Sequence, residues 1–262
     1  MRSKLIMVVV CLAACASVGC TRTDCIEPRS PSEVRERALE RANDLADAAG
    51  LKGAARAVFT DAARELSNAS LRQRAGRDAI KDRLIAELIK PAPSRDAARA
   101  HVSELIADVV VGTHTSLDRA LEVQATLDVD QRRGLREGME AADAPTYERS
   151  FIIDQALKKF LRDLDPDEGQ ETLYWRHIGK LEGELVWMLS IQHKATLFFA
   201  EQAEMASPEA PRIHAAVDKL GGLYEKFSHK ALDAALEVRG SLDTNQRAAF
   251  DGYIKAAKTC TD

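Results

Sequence analysis

The chain aligns with itself when it is shifted by 115 positions, and this internal repeat limits the folds that it can adopt. Residues 120–132 lie over residues 235–247 without a gap, and 8 of these 13 positions are identical. Further matches extend back to His114 over His229 and Pro93 over Pro208. Self-similarity of this kind predicts a tandem duplication of one structural unit.

The composition predicts that each unit is helical. Glycine is sparse, with 14 residues in 262, and alternating runs of Val, Ile and Thr bounded by turns do not occur. Apolar residues instead recur at helical spacing, as in Val58, Ala62, Leu66 and later Ile80 and Leu84. We therefore predict an all-α fold of two tandem four-helix units built on long antiparallel helical hairpins.

The predicted signal sequence and the helix-breaking residues divide the chain into four segments. These are a signal peptide at 1–19, a tether at 20–30, a first unit at 31–142 and a second unit at 147–259. The Pro-containing sequences at 30–33 and 165–168 are both predicted as capping boxes, the second of them opening a helix that lasts to about Met205. Two further boxes are predicted to cap the short fourth helix of each unit: Asp128 with Gln131, and Asp243 with Gln246.

The N-terminus has the layout of a secretory signal. Arg2 and Lys4 precede an uncharged run from Leu5 through Gly19. That run is shorter than the roughly 20 residues that a transmembrane helix needs, and polar residues follow it at once. We therefore expect a cleaved signal and not a retained transmembrane anchor.

Cys20 is the favoured site of lipid attachment. The small residues at 16–19 resemble the lipobox of bacterial lipoproteins, in which the cysteine receives a diacylglycerol and becomes the new N-terminus. Cys15 follows Leu-Ala-Ala and is a second candidate, but it would leave an apolar region of only about seven residues. An ordinary signal peptide with an incidental cysteine stays open. Neither cysteine precedes an aspartate, and by resemblance to sorted lipoproteins this favours the periplasmic face of the outer membrane over the inner membrane.

Cys25 and Cys260 remain once the signal has left and Cys20 carries the lipid. Export would place both in an oxidising compartment, where free thiols tend to pair. We predict a Cys25–Cys260 disulfide, with two unpaired thiols as the alternative. Choosing Cys15 for the lipid would instead strand an odd thiol.

Charge and motifs argue against two large classes of function. Loss of Arg2 and Lys4 would leave 35 basic against 41 acidic residues, interspersed and without a basic block, which disfavours nucleic-acid binding. The sequence has no Gly-rich phosphate loop, no His-Glu-x-x-His pair and no adjacent cysteine–histidine pair. We therefore predict a protein that is not an enzyme and that holds no cofactor, apart from the divalent metal considered below.

The repeated Leu-Asp-x-x-Gln-Arg at 127–132 and 242–247 resembles the Leu-Thr-x-x-Gln motif of the Spy/CpxP family of periplasmic stress proteins and of related metal-resistance sensors. Each unit also resembles that family in its order of hairpin, Pro-marked turn, long helix and short helix. Asp replaces the family's Thr at 128 and 243, and both residue types accept the same N-cap hydrogen bond. The resemblance implies an antiparallel cradle that binds clients on its concave face. A duplicated chain would build it as a monomer with an internal pseudo-dimer.

Two acidic histidine stripes are repeated in type and spacing. In each stripe a histidine, an aspartate and a glutamate lie at positions i, i+4 and i+8 of a predicted helix. They could offer a divalent metal one nitrogen and one or two oxygens. The alternative is a polar seam between helices that the duplication has copied. The stripes are His114, Asp118 and Glu122, and His229, Asp233 and Glu237.

Aromatic residues concentrate in the second unit, where Trp175, Trp187, Phe198 and Phe199 share one long predicted helix. Neighbours on a helix diverge by about 100°, so Tyr174 and Trp175 cannot both face one core. One member of each adjacent pair should lie on an exposed face, where it could grip unfolded clients.

These observations together predict a non-enzymatic envelope lipoprotein, anchored to the membrane by its lipid. By resemblance it would act as a stress-linked chaperone or as a sensor and adaptor, with protein clients or a membrane sensor as partners. One alternative is a periplasmic heavy-metal sensor or resistance protein that uses the histidine stripes. Another is a structural spacer of the envelope.

Overall fold

A computed structural model describes residues 30–141 and 163–260, which fold into seven α-helices and no strand. The prediction of an all-α fold is confirmed. Cys15, Cys20 and Cys25 lie outside the described residues, as does the side chain of Cys260. The helices are α1 (Pro31–Ala48), α2 (Gly53–Leu88), α3 (Arg95–Gln124), α4 (Val129–Ala141), α5 (Glu168–Glu204), α6 (Ala210–Ser241) and α7 (Thr244–Cys260).

Three pairs of helices begin at the same offset. The starts of α2, α3 and α4 each precede the starts of α5, α6 and α7 by 115 residues, the shift at which the sequence aligns with itself. The positions equivalent to α1 fall almost entirely within residues 142–162, which the structure does not describe.

Side-chain caps fix several of these starts. Ser30 and Glu33 form the expected box, in which each side chain accepts a backbone N–H from the other residue. The prediction of a box at 165–168 is wrong, because Asp167 is the N-cap and Gln170 closes the box. Asp165 lies two residues earlier with a φ of 47°, in the left-handed region and not in the extended conformation of an N-cap.

Four long helices form the body of the molecule. The first hairpin is α2 with α3, the second hairpin is α5 with α6, and α3 packs against α6 between them. The α3–α6 pair is antiparallel, since Arg99 lies beside Asp233 near one end and His114 beside His214 near the other.

The short helices connect the two halves of the molecule, which are residues 30–141 and residues 163–260. α4 packs on α5 and α7 on α2, so the turn of each hairpin meets residues of the other half. The main core accordingly mixes Leu88 and Val102 of the first half with Tyr174, Leu232 and Phe250 of the second. The described parts of the two halves therefore share one core.

None of the seven helices is long and apolar enough to cross a membrane, as far as the described residues go.

Candidate functional site

The two Leu-Asp-x-x-Gln-Arg segments have the same local geometry. Asp128 Oδ1 accepts the Gln131 N–H at 2.9 Å, and Gln131 Oε1 accepts the Asp128 N–H at 3.0 Å. Asp243 and Gln246 make the same two bonds at the same distances. The arginine that follows donates to the carbonyl of the preceding leucine in both copies. In this structure the motif starts a helix, since it satisfies N–H groups that the helix itself leaves free.

In the described part of the chain, only the His and Asp members of each stripe contact the facing helix across the α3–α6 seam, and the stripes do not converge. Asp118 and His114 contact residues of α6, while Glu122 pairs with Arg119 on its own helix. In the other stripe Asp233 pairs with Arg99, and Glu237 lies 3.2 Å from His177. Among the described residues, no group of three or more His, Cys, Asp or Glu side chains is arranged to hold a metal ion.

His114 and His214 form a small polar cluster in that seam. The two rings stack with centroids 4.7 Å apart and their Nδ1 atoms are hydrogen-bonded to each other. His114 Nε2 lies 2.7 Å from Asp218 and His214 Nε2 lies 2.9 Å from Asp118. An ionised carboxylate only accepts hydrogen bonds, so each Nε2 donates to its aspartate.

Under the 115-residue shift this cluster maps onto a different set of residues. His229 replaces His114, but Arg99 and Ser103 take the places of His214 and Asp218. His229 Nε2 lies 3.1 Å from Ser103 Oγ and 3.3 Å from the Arg99 carbonyl. The two repeated histidines therefore occupy the same place between α3 and α6 but have different partners. This favours the polar seam between helices over a metal site.

The predicted client-binding aromatics divide into exposed and half-buried side chains. Trp175 is 40% exposed and Trp187 is 55% exposed, whereas Tyr174, the neighbour of Trp175, is 1% exposed. Trp175 Nε1 donates to Glu171 at 3.2 Å, which orients the indole. Phe198 and Phe199 are half-buried with their rings 5.7 Å apart, so they belong to a boundary and not to the open surface.

Glycines separate the two exposed tryptophans. Gly179 and Gly183 follow Trp175 at steps of four residues, and Trp187 follows at the next step. At 100° per residue, both glycines lie between the two indoles around the helix as well as along it. A Cβ added to either glycine would meet no atom within 4 Å. We name Trp175, Gly179, Gly183, Val186 and Trp187 the α5 aromatic face.

A half-open apolar cavity of about 390 Å³ lies at the opposite end of the second hairpin, and sequence reasoning missed it. It is bounded by α1, α2, the C-terminal part of α3, α4 and the turn end of α5 and α6. Its lining includes Phe59, Leu117, Leu135, Met139, Phe199 and Ala203.

Two amide side chains also line this cavity. Gln202 Oε1 accepts the Glu209 N–H at 2.7 Å across the hairpin turn. Gln124 is 3% exposed, and its Nε2 donates to the carbonyls of Ala203 and Met205 at 3.2 and 2.6 Å. Its Oε1 is buried and has no hydrogen-bond partner in the part of the chain that the structure describes.

Arg136 on α4 forms a hydrogen bond with the neighbouring end of α5. It donates to Glu140 at 2.8 Å and to Glu204 at 2.6 Å. These hydrogen bonds with Glu140 and Glu204 raise the pKa of Arg136 well above its ordinary value. The bond to Glu204 joins α4 to the end of α5 beside the cavity.

Comparison of the chain with known protein families, with characterised proteins and with solved structures gave no match. The resemblance to the Spy/CpxP family therefore stays a prediction that depends on the repeated motif and on the order of the helices.

Proposed function

We propose that this chain is a non-enzymatic, lipid-anchored envelope protein that binds apolar segments of non-native proteins, as a stress-linked chaperone. The single observation that carries the proposal is the α5 aromatic face. Two large indoles are exposed on one helix, and no side chain stands at the two glycines between them. Exposed aromatic side chains of this size are typical of interaction sites.

The dimensions of the face suit an extended client. Trp175 and Trp187 are twelve residues apart, or about 18 Å along the helix. An extended strand covers this distance with about five or six residues. A short apolar segment of an unfolded chain would therefore contact both indoles while its backbone crossed Gly179 and Gly183.

Suppression of aggregation tests this proposal. The purified chain is titrated into a thermally unfolding client protein and light scattering is recorded. The double variant Trp175→Ser/Trp187→Ser should need at least about tenfold more protein for half-maximal suppression, because loss of a central interface Trp costs about 2 kcal/mol or more.

The matched control is Val111→Ser, which removes an exposed apolar side chain from α3, on a different helix. It should leave suppression unchanged. Equal suppression by the wild type and the double tryptophan variant, with circular dichroism showing both folded, would overturn the proposal.

The repeat supports a tandem duplication as the origin of the fold. Helix starts and capping boxes recur at the 115-residue shift, and α3 meets α6 as two copies of one helix would meet across a twofold axis. On this basis the protein is a monomer with an internal pseudo-dimer. Light scattering should give the mass of one chain, and an obligate dimer would contradict it.

Membrane anchoring is tested separately from client binding. The variant Cys20→Ser should release the protein from the membrane fraction, whereas Cys15→Ser should remain bound, and mass spectrometry of the mature N-terminus should find the lipid on Cys20. Retention of Cys20→Ser in membranes together with loss of Cys15→Ser would assign the lipid to Cys15.

A further inference from the structure

We infer that the cavity between α1, α4 and the turn of the second hairpin is a binding site for an uncharged aliphatic molecule with a hydroxyl head group. No residue of the α5 aromatic face lines this cavity, although Leu127 of the repeated motif does, so the inference is independent of the proposed function.

The first support is the contrast with the other end of the molecule. The 115-residue shift carries the cavity onto the main core, with Phe59 over Tyr174 and Leu117 over Leu232. Both of those core side chains are 1% exposed, whereas Phe59 and Leu117 are half-buried. The same pair of positions is therefore closed over at one end of the molecule and left open at the other.

Side-chain volume accounts for part of this difference. Leu135 stands where the closed end has Phe250, and Ala203 stands where it has Leu88. Protein interiors are packed as densely as organic crystals, so an apolar space of this size loses contacts that a ligand would restore. Cavities of roughly 300–1,000 Å³ are typical of small-molecule sites.

The lining specifies an aliphatic ligand without charge. Its members are chiefly Ala, Leu, Phe and Met, and none of them, all within the described residues, is charged. A buried carboxylate or ammonium group would have no counter-charge there, which is costly. Since an apolar cavity of about 150 Å³ admits benzene, about 390 Å³ has room for a chain of about a dozen carbon atoms.

The head group follows from Gln124. Both N–H groups of its amide are engaged by Ala203 and Met205, so the buried oxygen is the acceptor left over. An unpaired buried acceptor costs about 1–3 kcal/mol. A hydroxyl donates the missing hydrogen bond, whereas an ionised carboxylate or an ether cannot.

Calorimetric titration of the folded chain with 1-decanol, decyl methyl ether and decanoate tests the assignment. We expect one molecule of 1-decanol per chain, bound about threefold to tenfold more tightly than the ether, because one neutral hydrogen bond contributes about 0.5–1.5 kcal/mol. Decanoate should bind more weakly than 1-decanol. No binding of 1-decanol, or equal affinity for the alcohol and the ether, would overturn the inference.

The closed end supplies the design of the variant. Leu135→Phe/Ala203→Leu copies its side chains into the cavity and should weaken 1-decanol binding by at least about tenfold without loss of helicity. Val111→Leu, on an exposed site of α3, is the control and should bind as the wild type does. The variant Trp175→Ser/Trp187→Ser should also bind 1-decanol normally; if it does not, the alcohol occupies the aromatic face and the cavity assignment is wrong.

Discussion

Gln124 and Arg239 stand 115 residues apart, and each donates hydrogen bonds to backbone carbonyls in the hairpin turn of the other half. Gln124 reaches Ala203 and Met205, and Arg239 reaches Ile89 at 3.3 Å. Helix ends leave such carbonyls without an intrahelical partner. The two halves therefore complete each other's hairpins.

Truncation of these two side chains should have unequal costs. Gln124→Ala should lower the free energy of unfolding by about 1–3 kcal/mol, because it leaves buried carbonyls unpaired. Arg239→Ala should lower it by about 3–5 kcal/mol, since it also strands Asp251, which Arg239 binds through two hydrogen bonds in a largely buried site. Urea unfolding measures both values.

Arg64→Ala provides the control for the second variant. Arg64 and Asp61 form an exposed ion pair, which should contribute less than about 1 kcal/mol. If both variants unfold at the same urea concentration as the wild type, the bonds of Gln124 and Arg239 to the opposite hairpin turns do not stabilise the fold.

The turn of the first hairpin should give the stability a dependence on pH. Glu87 is buried, and hydrogen bonds from Lys90 and from the backbone N–H of Ser94 lower its pKa below the ordinary value of 4.5. A carboxyl with a lowered pKa stabilises the fold fully above its unfolded pKa and loses this effect as the pH falls through its folded pKa. Glu87→Gln, which copies the equivalent Gln202, should therefore be less stable than the wild type at pH 7, and the gap should close under acid.

Urea unfolding of both proteins at neutral pH and below pH 4.5 measures this gap. Only the wild type has a group at position 87 that titrates, because the amide of the variant does not. A gap that stays constant across that range would therefore contradict a lowered pKa of Glu87. Gln202→Ala should show no such pH dependence and serves as the control.

The capping boxes should contribute similarly in the two repeats. Asp128→Ala and Asp243→Ala should each cost about 1 kcal/mol, whereas serine at either position should restore most of the stability because its hydroxyl accepts the same N–H. Thermal unfolding followed by circular dichroism measures each variant. Asp130→Ala, which removes an exposed carboxylate in the first turn of α4, is the control and should change stability little.

The bonded histidines should be coupled. A double-mutant cycle on His114→Ala and His214→Ala should give an interaction energy of about 0.5–3 kcal/mol, as expected for side chains in direct contact. A control cycle uses His101→Ala and His214→Ala, since His101 lies elsewhere on α3, beside Glu104. The effects of these two substitutions should add within about 0.5 kcal/mol. Additivity in both cycles would show that the hydrogen bond does not link the helices.

The sequence predicts the helix starts well because their signals are local. Asp128 and Gln131 are three residues apart and bond each other, so their pattern is visible without any knowledge of packing. The same locality explains why the capping box was predicted at 165–168, two residues too early. Asp165 and Asp167 are both followed three residues later by an acceptor side chain, and only the observed backbone distinguishes them.

Packing between distant segments could not be predicted in the same way. The stripe of His114 and Asp118 suggested one ligand set, yet each side chain bonds to α6 because that helix lies opposite. The cavity was missed for a related reason. Its volume depends on residues such as Leu135 and Ala203, which are remote in sequence and unremarkable until the helices bring them together.

The exchange of short helices between the halves also sets an order of events during synthesis. α7 packs on α2, so the first hairpin lacks this cover until residues 244–260 have been synthesised. Until then the core that contains Leu84 and Leu88 lacks Phe250 and Ile254, so part of its apolar surface is exposed to water and to other chains. Contacts between segments this far apart in sequence form slowly. A chain shortened before α7 should therefore be captured by proteases or aggregate, although most of its helices would already have been made.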